Sequence, residues 1–352
     1  MVACAAQPFA FAQQPQAAAP APAPRDPKAL ILFAAQSNGL SAQDAKPWHI
    51  KASFKIVDDK GNATNQGTFE EFWAGAVQYK RIFSSDKFTQ TEFGTADGPR
   101  RTGANGRVPT QLELIAAEFL APIGVSPENA GQTNLHMETR TAGTVKLTCL
   151  AAMRPASMNP PVPAFNEEFC LSENLPILRM HGPNPATRVL RNGIVKFQGQ
   201  YLPGNIDAFF QSGLPNDPGH EVWSAHLENA EALQNTDAAL FTPPPDAVKP
   251  PRKVSLTEQA ARAQLLDHPK PVYPPIAVAA RVSGNVVLLT TIAADGHVEG
   301  LSTFEGPPML RQAAIDGVRK WTFKPFTDNG DSVSVLTVMT VHFQIDPVVR
   351  VE

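Results

Sequence analysis

From Asn285 to Ala293 the chain is a run of apolar and β-branched residues, and Asp295-Gly296 then supplies the φ > 0 positions of a tight hairpin before His297 to Phe304. This predicts two paired strands. Pro307 and Pro308 fit the start of a helix, where a missing N–H costs nothing, and Leu310, Ala313, Ala314, Gly317, Val318 and Trp321 recur at helical spacing. Val333, Val335, Thr337, Met339, Val341, Phe343 and Ile345 alternate with Ser334, Leu336, Val338, Thr340, His342 and Gln344, a period of two with the more apolar set on one face. The segment reads β-β-α-β.

Upstream, Trp48, Ile50, Ala52, Phe54 and Ile56 alternate with polar residues up to a turn at Asp58 to Asn62. Gly67 to Trp73, Ala76 to Ser84 and Phe88 to Phe93 continue as an antiparallel meander, and Leu112, Ile115, Ala116, Phe119 and Leu120 mark one amphipathic helix. Leu135–Thr139, Thr144–Leu150 and Leu175–Met180 resume the sheet, with a turn at Arg191-Asn192-Gly193 between strands Thr187–Leu190 and Ile194–Tyr201. The fold class is α+β: an N-terminal antiparallel sheet with one or two helices, followed by the small β-β-α-β unit. Whether the sheet curls into a half-barrel is left open by the pattern.

At 352 residues the chain has room for two cores. Its 34 prolines cluster at Pro15–Pro27 and Pro243–Pro251, which marks linkers. The organisation expected is residues 1–12 an export-signal remnant, 13–27 an Ala/Pro-rich linker, 28–242 a β-rich domain, 243–264 a Pro-rich linker with a short helix, 265–346 the β-β-α-β domain and 347–352 a tail. Polyproline geometry at about 3.1 Å per residue gives the spacer from Pro243 to Lys253 a reach of some 30 Å. A net charge of −3 supplies no field that would attract nucleic acid or an anionic membrane.

Catalytic signatures are missing. There is no G-x-S-x-G elbow, H-E-x-x-H pair, P-loop or G-x-G-x-x-G after a strand, so no enzyme and no cofactor is expected. The Gly103-Ala-Asn-Gly106 cluster reads as a turn. Cysteine spacing lacks C-x-x-C and no His pair sits nearby, so no metal site is expected.

The order Tyr273-Pro274-Pro275, Gly284 opening a strand, Asp295-Gly296, the helix to Trp321, and Trp321-Thr-Phe323-Lys-Pro325 resembles the C-terminal domain of TonB-family energy transducers. Such a domain has no active site and works by gripping another protein. The resemblance implies that an extended "TonB box" of an outer-membrane transporter adds to the edge of the last strand by β-augmentation. It makes Ser334, Leu336, Val338, Thr340, His342, Gln344 and Tyr273 the candidate partner contacts, and Trp321, Phe323, Pro325, Gly284, Asp295 and Gly296 structural. A last strand that long is expected to lie at an edge with its N–H and C=O groups unpaired. The alternative is that the chain's own linker, or a second copy, covers it. Large aromatics beside proline and small residues, such as Tyr273 and Trp321, are more often core anchors than partner contacts.

The N-terminal region is weakly similar in architecture to the periplasmic lipoprotein carriers LolA and LolB, and no ligand residue carries over. Ala10-Phe11-Ala12 has the form of a signal-peptidase site, while Met1-Val-Ala-Cys4 is open to reading as part of a lipoprotein box. A longer signal or an anchor helix upstream is expected, and only such a helix would bring in the ExbB/ExbD motor. The longest apolar run, Ala29–Ala35, is too short to cross a bilayer, which takes roughly 20 residues. The location expected is the periplasm, with an inner-membrane or lipid anchor open. The second functional reading is a periplasmic carrier or scaffold, with a lipid-like ligand in the N-terminal domain and the C-terminal domain used for docking. In an oxidising compartment Cys149 and Cys170 are expected to form a disulfide, two buried thiols being the alternative.

Overall fold

The structure is a computed structural model and describes residues 23–345, apart from 41–44, 59, 105–107, 126–133, 155–156, 159–160, 163–164, 185–186, 212–218 and 235. The signal-like Ala10-Phe11-Ala12, Cys4, most of the 13–27 linker, part of the Gly103–Gly106 cluster and the 347–352 tail lie outside these residues.

Twelve strands build one antiparallel sheet. From edge to edge they are Arg100–Gly103, Thr89–Phe93, Gln78–Ser85, Ala63–Gly75, Trp48–Val57, His220–Ala232, Asn205–Phe210, Thr187–Asn192, Leu178–Asn184, Phe165–Ser172, Val145–Arg154 and Asn134–Ala142. The two end strands do not pair with each other, so the sheet is open rather than a closed barrel. Alternation in Trp48–Val57 sends Trp48, Ile50, Ala52, Phe54 and Ile56 into the core, where Leu112, Ile115, Ala116 and Phe119 of the helix Thr110–Leu120 meet them. A helix at Pro27–Ser37 is capped by Asp26 and buries Leu30, Ile31 and Ala34 on the other half of the sheet.

Between the halves lies a buried ionic cluster. Glu118 accepts from Arg191 Nη1 at 2.6 Å and lies 2.7 Å from His181 Nδ1, whose Nε2 is 3.1 Å from Glu167. Arg191 was expected in a turn; it instead points inward from a strand and is fully buried, because Glu118 on the helix compensates its charge. The residues after it, expected as one strand at Ile194–Tyr201, form a separate hairpin of Val195–Phe197 and Gln200–Leu202, since Gln198 and Gly199 both take positive φ and reverse the chain.

The second unit has four main strands in the order Arg252–Ser255, Asp331–Phe343, Gly284–Ile292, Val298–Glu305. The helix Pro308–Val318 starts at a Pro-Pro step and lays Leu310, Ala314 and Val318 on Val286, Leu288, Ile292, Val335, Met339 and Val341. Gly296, at φ +93°, is required at the hairpin, because a Cβ there would sit 1.9 Å from the Phe323 carbonyl oxygen.

Two expectations about the linker and the last strand are corrected. The Pro-rich stretch is not a free spacer: Val248 exchanges two main-chain hydrogen bonds of 2.8 Å with Arg101 at the edge of the large sheet. Arg252–Ser255 then pairs in parallel with Val333–Leu336, so the last strand is covered over this length by the chain's own linker. An exposed row of main-chain groups is costly to leave open, and the alternation of Val254 and Leu256 with polar residues suits a strand. Pro161–Val162, from a small hairpin, also lies against the last strand. That strand ends at Phe343, opposite Gly284 where its neighbour begins, so Gln344 lies beyond it. Among the described residues no helix is long and apolar enough to cross a membrane.

Candidate functional site

The outer edge of the last strand is the candidate site, and its geometry follows from strand alternation. Main-chain N–H and C=O of one residue point to the same side, and successive residues point to opposite sides. Leu336 C=O accepts from Leu256 N–H of the linker at 3.0 Å, and Thr340 N–H faces the same way. Even-numbered residues from Ser334 to His342 therefore aim their main-chain groups at the outer edge. Odd-numbered residues from Val335 to Phe343 aim theirs at Gly284–Ile292, the registered antiparallel neighbour. Their side chains divide the same way: Val333, Val335, Thr337, Met339, Val341 and Phe343 are buried, Ser334, Leu336, Val338 and Thr340 are half-buried, and His342 is exposed.

Beyond Leu336 the linker leaves the sheet and turns into the short helix Glu258–Arg262, capped by Thr257. Its side chains reach back. Glu258 accepts the Thr340 N–H at 2.7 Å on one carboxylate oxygen and the Thr340 hydroxyl at 2.9 Å on the other. Arg262 donates to the Thr340 carbonyl at 2.7 Å and bonds Glu258 at 2.8 Å. Both main-chain groups of Thr340 are thus engaged by side chains rather than by a strand. At the other end Arg252 pairs with Asp328.

Sequence reasoning missed Glu258, Arg262 and the strand Arg252–Ser255. The alternation Lys253-Val254-Ser255-Leu256 and the Thr257 cap were the available signals, hidden in a stretch whose prolines read as linker.

The other proposed site residues fall elsewhere. Tyr273 is not at the outer edge: its ring meets Phe343 edge-on at 5.3 Å and its hydroxyl donates to the Val282 carbonyl at 2.6 Å, so it anchors the core. His342 Nδ1 lies 2.7 Å from Asn285 Oδ1. Trp321 and Phe323 are buried in the core, whereas Pro325 is exposed. Gly284 takes φ +146°. Asp295 accepts the His297 N–H, which holds its carboxyl below the usual carboxylate range. Cys149 and Cys170 are cross-strand partners with Cα atoms 3.9 Å apart and a disulfide between them. Among the described residues no cluster of His, Cys, Asp and Glu is arranged to hold a metal ion.

Comparison with known proteins bears on this unit. Residues 269–345 match the family described as Gram-negative bacterial TonB protein C-terminal, and this segment is a TonB C-terminal domain. Over 78 residues the chain is 35% identical to Protein TonB of Xanthomonas campestris pv. campestris in two strains, covering 22% of this chain and 35% of that protein. The chain thus spans about a third of the length of these curated relatives. The solution NMR structure of the Pseudomonas aeruginosa TonB CTD is similar at 29% identity over 24% of this chain and 87% of that one, with a TM-score of 0.22. A LolA superfamily protein from Nitrosomonas europaea is similar at 9% identity over 60% of this chain and 96% of that one, with a TM-score of 0.37. Scores of this size carry nothing about ligand or role.

Proposed function

We propose that this is a non-catalytic, TonB-like protein of the periplasm whose C-terminal domain binds outer-membrane TonB-dependent transporters by strand addition, in support of energy-coupled transport. The observation that carries the reading is the outer edge of the last strand. It offers the main-chain groups of Ser334, Leu336, Val338, Thr340 and His342 in one row, and it accepts a strand over part of that row. Main-chain ladders give affinity to this mode of recognition, and the half-buried Leu336 and Val338 side chains give it selectivity. The TonB C-terminal match over 269–345 supports the choice of partner, a TonB-box segment. An ExbB/ExbD-type motor enters only as the source of force on the N-terminal side.

Titration of the full chain with a synthetic TonB-box peptide, read by amide protection along residues 331–345, tests the reading. Protection gained at Val338 and His342 is expected. A peptide that binds no part of this strand overturns it.

A further inference from the structure

The row of groups that would receive a partner is already occupied by the chain itself, and by a chemically apt occupant. Arg252–Ser255 runs parallel to Val333–Leu336 in register, Leu256 N–H continues the ladder, and Glu258 and Arg262 then take the N–H and C=O of Thr340. We infer that residues 252–262 are an internal pseudo-ligand, a latch that holds the docking edge closed until an incoming extended segment displaces it. This rests on the proposed docking at the last strand and adds its regulation.

The latch is built to open. Its ladder is only four residues long and parallel, the less stable kind of pairing. The Arg252–Asp328 pair is exposed, and exposed pairs contribute little. After Leu336 the latch stops offering main chain and substitutes two side chains, whereas an incoming strand continues the ladder past Thr340. A displacing segment therefore gains hydrogen bonds that the latch does not make. What favours the latch is connectivity: a tethered segment competes at an effective concentration on the order of millimolar. Apparent affinity for a partner falls by the fraction of time the edge is free.

The latch also has mechanical placement. Val248, four residues before Arg252, is hydrogen-bonded to Arg101 on the large sheet, and Arg262 stacks its guanidinium 5.2 Å from the Trp321 ring. Movement of the N-terminal unit relative to the C-terminal one therefore pulls on the segment that covers the edge.

The test uses the full chain in a Cys4→Ser background, with the peptide probe above. Val254→Pro combined with Glu258→Ala removes a ladder N–H and the Thr340 cap, and should tighten peptide binding by about tenfold or more. Lys253→Cys with Ser334→Cys, paired residues on adjoining strands, locks the latch shut on oxidation. The oxidised protein should lose binding at least about tenfold, and mild reduction should restore it, the buried Cys149–Cys170 bridge being protected. Equal affinity in wild-type, released and locked forms, with the amide footprint still on the last strand, overturns the latch while leaving docking intact. No footprint on that strand in any form, the released one included, overturns the docking reading and the latch with it.

Discussion

Trp321 donates its indole N–H to the Pro269 carbonyl at 3.1 Å, tying the residue just past the long helix to the chain segment that enters the domain. The ring is buried within the C-terminal core, beneath the Arg262 guanidinium. Trp321→Ala should therefore cost about 3–5 kcal/mol, from lost burial and the cavity left behind. Denaturant unfolding of the full chain checks this, with the C-terminal transition moving to lower denaturant. Trp321→Phe keeps most of the volume and should cost less. An alanine variant that unfolds like wild type would mean the ring contributes nothing to the core.

The bridge between Cys149 and Cys170 closes a loop with a sequence separation of 21, and both side chains are buried. In the chain-entropy model this contributes roughly 3 kcal/mol. Protein exported and purified without reductant should show no labelling of these two thiols after denaturation, and Cys149→Ser with Cys170→Ser should unfold more easily by about that amount. Two thiols labelled stoichiometrically in the denatured, non-reduced protein would rule the bridge out.

His181 sits fully inside the N-terminal unit between two carboxylates. Burial alone would lower its pKa, but the Glu118 carboxylate at Nδ1 and Glu167 at Nε2 outweigh burial and push it up to about 9, from an ordinary 6.5. A group raised in the folded state stabilises fully below its unfolded value, and that contribution is lost as pH rises through its folded value. The N-terminal transition should therefore weaken between about pH 6.5 and pH 9, by an amount on the order of 3 kcal/mol at about 1.4 kcal/mol per unit. Burial raises the Glu118 pKa, but His181 and Arg191 lower it more, so its share is present above the ordinary carboxylate value and lost in acid. His181→Gln should flatten the alkaline slope in thermal unfolding followed against pH. An unchanged slope would place the titration elsewhere.

What could be read in the sequence divides along physical lines. The C-terminal unit was legible because each element carries its own local signal: β-branched runs, Asp295-Gly296, the Pro-Pro helix start and a long alternation, all agreeing with one another. The central strand His220–Ala232 was not, because its Ala, Glu and Asn content favours other states, and it is a strand only through pairing with Trp48–Val57 and Asn205–Phe210. The same reason hid Arg252–Ser255. Four residues after a Pro-rich run specify no partner, and only the register with Val333–Leu336 makes them a strand. Of the proposed contacts, the even-numbered set from Ser334 to His342 shares the outer edge, since that followed from the period of two. Gln344 is not among them, because the strand's end at Phe343 was not written in the alternation, and Tyr273 takes the core-anchor role that its residue type also allowed.

Proline scanning of the last strand separates folding from docking, because the two depend on opposite sides of the same backbone. Proline removes the N–H it replaces and is tolerated where that N–H faces away from the sheet. Thr337, Met339 and Val341 direct their N–H groups to Gly284–Ile292, so proline there leaves the facing carbonyl unsatisfied and should unfold the domain. Val338 and His342 direct theirs to the outer edge, so proline there should leave the fold intact, by circular dichroism and cooperative melting, yet abolish binding of a TonB-box peptide. Alanine at Ser334, Thr340 or His342 removes only a side chain and should weaken binding by about 1 kcal/mol or less, a typical net hydrogen-bond contribution. Thr340→Ala departs from this: it also removes the hydroxyl bond to Glu258, and the loosened latch offsets the loss, so its binding should weaken less than that of the other two. Folded proline variants at positions 338 and 342 that bind the peptide with wild-type affinity would exclude strand addition along this edge.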